Sequence, residues 1–143
     1  MLVIFLIGLI TFFSLINRKA QRSTATVNNK TFNIEIARTE DQQEVGLSKY
    51  DKIEDNFGMY FLFNKPNYYN FWMKDMKFPI DIIYIYKNEI VQVFKNVPNP
   101  KTNLDPLMIY KPTHTADSVL EIKAGLSDKY GISEGEVVKT TIK

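Results

Sequence analysis

Cysteine is absent from the 143 residues and histidine occurs once. The first absence excludes disulfides, thiolate nucleophiles, thiolate metal sites and a lipidated Cys after a leader. The second leaves Ser-His-Asp catalysis one possible base, His114, in the loop Lys111-Pro112-Thr113-His114-Thr115 with no nucleophile motif beside it. We read it as a surface loop residue. Zinc lacks its preferred ligands in such a chain, and neither a metal nor a cofactor is expected. The acidic turn Asp51, Glu54, Asp55 does not have EF-hand spacing, and Gly131-Ile132-Ser133-Glu134-Gly135 lacks the Lys-Ser or Lys-Thr of a phosphate cradle.

An excess of one charge is missing as well. The chain carries 18 basic and 16 acidic side chains, and Arg18, Lys19 and Arg22 precede residue 26 with no acid among them. Residues 26–143 therefore hold 15 basic and 16 acidic groups, a net of −1. A near-neutral body offers no clustered basic surface for phosphates, so no nucleic-acid partner is expected.

There is one long apolar run, residues 1–16, interrupted only by Thr11 and Ser14 and ended by Asn17-Arg18-Lys19. A spanning helix needs about 20 apolar residues and a signal-peptide core about 7–15, so the run reads as a membrane anchor or a signal segment. Ser23-Thr24-Ala25 has the small-x-small form of a cleavage site, but three basic residues separate it from the run, which favours an uncleaved anchor. Those same charges, taken by the positive-inside rule, would hold Arg18 and Lys19 in the cytoplasm. One resolution is a start upstream that supplies a basic n-region, and another is a cleaved leader. Residues 17–30 are polar and read as a linker, and residues 31–143 as one globular domain.

In that domain the dominant period is two. Phe32, Ile34 and Ile36 alternate with Asn33, Glu35 and Ala37, the pattern of a half-buried strand. Thr39-Glu40-Asp41-Gln42 fits a capping box opening a helix to about Val45, stopped by Gly46. Further strands are expected at 59–63, 71–74, 80–86, 89–95, 107–110, 119–123 and 136–142. Tyr86-Lys87-Asn88-Glu89 is a hairpin turn, and 124–130 a short helical turn ended by Gly131. The fold class is mainly β with one or two short helices: a compact antiparallel domain, barrel-like or a sandwich.

Twelve of the 19 aromatics lie between Phe57 and Phe94. Their strand spacing suits a core, while a stacking cleft for flat ligands is the functional reading. Tyr68 and Tyr69, beside Pro66 in an expected loop, are the candidates for an exposed aromatic patch. Asp81 shares a strand face with Ile83 and Ile85, whereas Ile80, Ile82 and Tyr84 face the other way, so both faces read as buried. A carboxylate there needs donors, because an unpaired buried charge is costly or becomes protonated. Lys74, the Trp72 indole N–H and backbone amides are available. Asp81 then either ties a strand to a turn, or serves as an acid or base beside a lysine, or binds a ligand.

Gly58-Met59-Tyr60-Phe61-Leu62-Phe63, Phe71-Trp72-Met73-Lys74 and Pro79-Ile80-Asp81-Ile82-Ile83-Tyr84-Ile85 resemble, in order and spacing, domain-of-unknown-function family 192. Glu44-Val45-Gly46-Leu47 resembles that family's opening helix, and Val119-Leu120-Glu121 through Val137 its closing segment. The resemblance covers roughly residues 31–142. It implies a compact β-rich fold in small, often exported or membrane-tethered bacterial and archaeal proteins, and no established activity. Ser48 departs from the Met usual after Gly-Leu, and Asp75-Met76 stands where Asn-Thr is usual.

The expected function is a membrane-tethered, extracytoplasmic binding or accessory module, secreted if the leader is cleaved. Trp72, Lys74, Asp81 and Glu121 would line or brace one polar pocket for a small ligand or an envelope protein. The alternatives are an envelope hydrolase or transferase using Asp81 or Glu121 as acid or base, and a purely structural interaction module.

Overall fold

The computed structural model describes residues 22–102 and 104–143; the apolar run 1–16 lies outside them. Among the described residues no helix is long and apolar enough to cross a membrane. Nine strands and two short helices form the domain. In chain order they are β1 (Thr24–Val27), β2 (Lys30–Ala37), α1 (Glu40–Val45), β3 (Phe57–Asn67), β4 (Phe71–Trp72), β5 (Ile80–Tyr86), β6 (Glu89–Val97), β7 (Ile109–Tyr110), β8 (Ala116–Lys123), α2 (Leu126–Lys129) and β9 (Lys139–Thr141). A 3-10 turn, Gly46–Lys49, follows α1.

Seven strands make one sheet in the order β6-β5-β8-β3-β2-β1-β9, curled as a half-barrel, while β4 and β7 pair separately. Every pairing is antiparallel except β2 with β3, which are parallel and joined through α1. Residues 135–138 link the two edges of the curl. The Ile90 and Val138 amides donate to Glu136 and Asn88 carbonyls at 2.9 and 2.8 Å, and β9 then pairs with β1.

The local signals that predicted these elements are physically in place. Thr39 Oγ1 accepts from the Gln42 amide, Gln42 Oε1 accepts from the Thr39 amide, and the capping box starts α1. Lys87 and Asn88 both have positive φ, 50° and 68°, as a two-residue hairpin turn of primed type requires. Gly46, at φ 50°, ends α1 and turns the chain into the 3-10 turn.

The linker expectation is corrected at its end. Thr24–Val27 is a strand, paired with β2 on one side and β9 on the other, and Ala25 and Val27 are fully buried. Four residues with two apolar side chains carry little alternation, but Asn28 and Asn29, both at positive φ (47° and 62°), turn the chain tightly back so that β1 pairs with β2 as a hairpin, and β9 covers its other edge. Boundaries elsewhere shift modestly. β3 runs longer than expected, to Asn67, whereas β4 and β7 are two residues each, because they cover the sheet from outside rather than extend it.

Alternation along β5 splits the core in two. Ile83 and Ile85 join Phe32, Tyr60, Leu120 and Ile122 inside the curl. Ile80, Ile82 and Tyr84 join Met59, Phe61 and Val119 on the outer face, beneath β4, β7 and the 3-10 turn. Many of the central aromatics are mutually packed. Edge-to-face contacts run from Phe61 to Phe71, Tyr84, Phe94 and Tyr110, with centroids 5.0–5.9 Å apart.

Candidate functional site

Glu121 occupies the middle of β8, directly opposite Met59 of β3 and Ile82 of β5. All three side chains point to the outer face, where the next rung is Phe61, Val119 and Tyr84. Glu121 is only 5% exposed, and its carboxyl has neither a hydrogen bond nor an ion pair among the described residues. A carboxyl in that setting keeps only a narrow contact with solvent at the outer face and has no protein partner to replace the hydration it has lost. Burial accordingly pushes its pKa up to about 8, so the neutral acid dominates at pH 7.

The outer layer does not close over it. A cleft of about 190 Å³ descends to Glu121 between two walls. One wall is α1 and the start of the 3-10 turn, contributing Gln43, Glu44, Val45 and Gly46. Gln43 fixes this wall by donating from Nε2 to the Leu62 carbonyl of β3 at 3.2 Å. At Gly46 a Cβ would sit 3.4 Å from the Phe61 ring and 4.0 Å from Glu121 Oε2, so the backbone here approaches the floor closely.

The other wall is aromatic: Tyr69, Phe71 and Trp72, with Lys74 at the mouth. It is held from below by Tyr84, whose hydroxyl donates to the Tyr69 and Tyr110 carbonyls at 3.0 and 3.3 Å. Tyr69 also stacks on Phe63 with centroids 3.5 Å apart, and its hydroxyl donates to the Lys65 carbonyl at 2.6 Å. Of the expected exposed pair, therefore, Tyr68 is exposed at 56% whereas Tyr69 is half-buried in the cleft wall.

Three of the four expected pocket residues, Trp72, Lys74 and Glu121, line this one cleft. Asp81 does not. It projects to the opposite face of the sheet and is fully buried, accepting from the amides of Asn96 (2.7 Å), Gly125 (3.2 Å) and Ser127 (2.8 Å). Neither Lys74 nor Trp72 reaches it; both are exposed at the outer cleft. Its role is the mechanical one, tying β5 to the last turn of β6 and to the start of α2. The α1 wall, above all Gln43 and Gly46, went unread in the sequence. The capping box located the helix, but nothing local told which strand it would lie against.

The residues weighed for other chemistry are engaged at the surface. Asp51 and Asp55 pair with Lys77 and Lys123 at 2.6 and 2.8 Å, and His114 is exposed with Nδ1 3.0 Å from Thr113 Oγ1. Among the described residues no group of three His, Cys, Asp or Glu could hold a metal ion.

The family model for DUF192, described as an uncharacterised ACR, matches residues 22–140. The chain belongs to domain-of-unknown-function family 192. Its match begins before β1, in agreement with the strand found there. Two solved structures resemble this family 192 domain. One is a protein of unknown function from Novosphingobium aromaticivorans DSM 12444, 30% identical, TM-score 0.72, with 81% of this chain and 83% of that one covered. The other, from Sinorhizobium meliloti 1021, is described as a candidate transcription regulator; at 24% identity, TM-score 0.71 and coverage of 82% and 93%, it attests the fold alone. No curated protein matches.

Proposed function

We propose that this family 192 domain is a binding module whose ligand enters the outer cleft and meets Glu121 at its floor. One observation carries the reading: a nearly fully buried carboxyl with no partner stands at the bottom of an open, aromatic-walled depression. Buried polar groups in folded proteins are paired, and the exceptions call for a specific account. A ligand that supplies the missing partner is that account. The fit is to a small molecule or a single side chain, since about 190 Å³ corresponds to roughly six water-sized units.

The same reading places the domain outside the cytoplasm, tethered by residues 1–16 or released by cleavage after them. Its support is the apolar run followed by a polar stretch, together with the resemblance to a family whose members are often exported or membrane-tethered. A hydrolase or transferase remains the second reading, and it now rests on Glu121 alone: a neutral acid at pH 7 is a competent proton donor, whereas Asp81 is sealed from any substrate.

Trp72 is the chain's single tryptophan and is 48% exposed at the cleft, so its fluorescence reports occupancy. A library of small fragments titrated into the full chain in non-ionic detergent should yield ligands that shift Trp72 emission and lose affinity in Glu121→Gln. Fragments that bind without affecting Trp72 and ignore that substitution would move the site elsewhere.

A further inference from the structure

We propose that the cleft selects an organic ammonium cation, held by the Glu121 carboxylate at the floor and by the rings of Phe61, Tyr69, Phe71 and Trp72 around it. This rests on the reading of the cleft as a binding site and adds the charge of what enters.

Glu121 is flanked in the sheet by Met59 and Ile82 and overlooked by Phe61 and Gly46, none of which brings a side-chain donor. Two polar neighbours are already committed, the Tyr84 hydroxyl to the Tyr69 and Tyr110 carbonyls and the Gln43 amide to the Leu62 carbonyl, and Asn70, which also lines the cleft, makes no hydrogen bond to Glu121. A cation placed here supplies what the ionised carboxyl lacks, and an ion pair formed away from water is strong when its geometry is good. Once ionised, Glu121 would meet a carboxylate or phosphate ligand as a like charge, so the preference for a cation develops as the pH approaches the Glu121 pKa.

The walls select in the same direction. Aromatic faces carry negative potential and attract ammonium groups within about 6 Å of the ring centroid, with an effect that grows as water is excluded. At the mouth Glu44 from α1 and Lys74 from the loop after β4 bear opposite charges and cancel in the approach field. The floor therefore sets the sign of the preference. The modest volume restricts the ligand to a compact head group, such as a methylated amine or the end of a lysine side chain.

Proton linkage gives this assignment a signature. Burial holds Glu121 protonated at neutral pH, so a cation must displace that proton to water. Affinity for an ammonium ion without a titratable proton should then rise by about tenfold per pH unit up to the Glu121 pKa, and level off above it. The groups facing Glu121 across the cleft are Glu44, Lys74, Tyr69 and Tyr84. The two tyrosines titrate well above this range, since burial raises both.

The test titrates the full chain with tetramethylammonium, with tert-butanol as an uncharged molecule of similar shape, and with acetate as an anion, following Trp72 fluorescence at pH 6, 7 and 8. The expected result is at least tenfold tighter binding of the ammonium at pH 8, with affinity falling as pH drops. Glu121→Gln should abolish both the charge preference and the pH dependence, Trp72→Ala should weaken the ammonium several-fold, and Lys74→Met should strengthen it. Equal or tighter binding of the alcohol or of acetate, or a loss of binding in Lys74→Met, would overturn the cation assignment while leaving the cleft a binding site. Binding of none of the probes, together with failure of the fragment search, would overturn both.

Discussion

The carboxylate of Asp81 accepts the amide N–H of Ser127 at 2.8 Å, fastening the start of α2 to the beginning of β5. Its other oxygen takes the amides of Asn96 and Gly125. Removing the carboxylate leaves the buried Ser127 amide and the part-buried Asn96 and Gly125 amides without this acceptor, and an unpaired buried donor costs about 1–3 kcal/mol. Asp81→Ala should therefore lower stability by on the order of 3 kcal/mol. Asp75→Ala, at an exposed turn, should cost much less. Urea midpoints of the two variants measure the difference, and equal shifts would remove Asp81 from its bracing role.

Ser127 separates backbone from side chain in the same contact. Its hydroxyl is buried and has no hydrogen-bond partner, whereas its amide serves Asp81. Ser127→Ala keeps the amide and removes the unsatisfied hydroxyl, so stability should stay level or rise by up to about 1 kcal/mol. A loss comparable to that of Asp81→Ala, in the same denaturation series, would show that the hydroxyl is bound after all.

Glu121 makes stability depend on pH in the direction opposite to a salt-bridged acid. Its pKa is about 8 in the folded state and near 4.5 when solvated, so between these values the folded protein holds a proton that the unfolded chain releases. Stability should fall as pH rises from about 5 to 8, by up to about 1.4 kcal/mol per unit, and level off above. Glu121→Gln cannot titrate. The difference between the two proteins in urea midpoint, measured from pH 5 to 9, should grow in the variant's favour and then plateau. A difference independent of pH would mean that Glu121 is ionised at neutral pH.

Gly58 of β3 pairs with Ile122 of β8. A Cβ on it would stand 2.7 Å from the Glu121 carbonyl oxygen, a backbone atom that cannot swing aside. Gly58→Ala should cost about 1–3 kcal/mol by overpacking. It should also displace Glu121 and weaken any ligand found in the cleft. Thermal denaturation and Trp72 titrations check the two consequences, and an unperturbed variant would show that the strands can part at no cost.

Residues 22–143 should fold independently, whereas residues 28–143, which lack β1, should not show the same cooperative transition. Ala25 and Val27 fill the enclosed core, and without β1 both β2 and β9 lose a neighbour. Calorimetry of the two fragments decides it. For orientation, a reporter active only outside the membrane, fused after Lys143, should give signal while a cytoplasmic reporter at the same junction stays silent; the reverse pattern would place the ligand in the cytoplasmic pool.

The sequence by itself determined what short-range physics controls. Side-chain alternation put Asp81, Ile83 and Ile85 on one face of β5 and Ile82 and Tyr84 on the other, because a strand has a period of two wherever it lies. The capping box and the Lys87-Asn88 turn were legible for the same reason: their hydrogen bonds and φ values close within four residues. The resemblance to family 192 was readable too, since it depends on order and spacing. Only the tertiary structure decided that β1 is an interior strand, because its second partner, β9, lies at the chain's far end, whereas its pairing with β2 through the Asn28-Asn29 turn is local. It alone separated Asp81 from Glu121, two acids in apolar strands that look alike in sequence. Asp81 faces the enclosed core, where the amides of three residues converge on it. Glu121 faces outward, where α1 and the aromatic wall stop short of each other and leave its carboxyl without a partner.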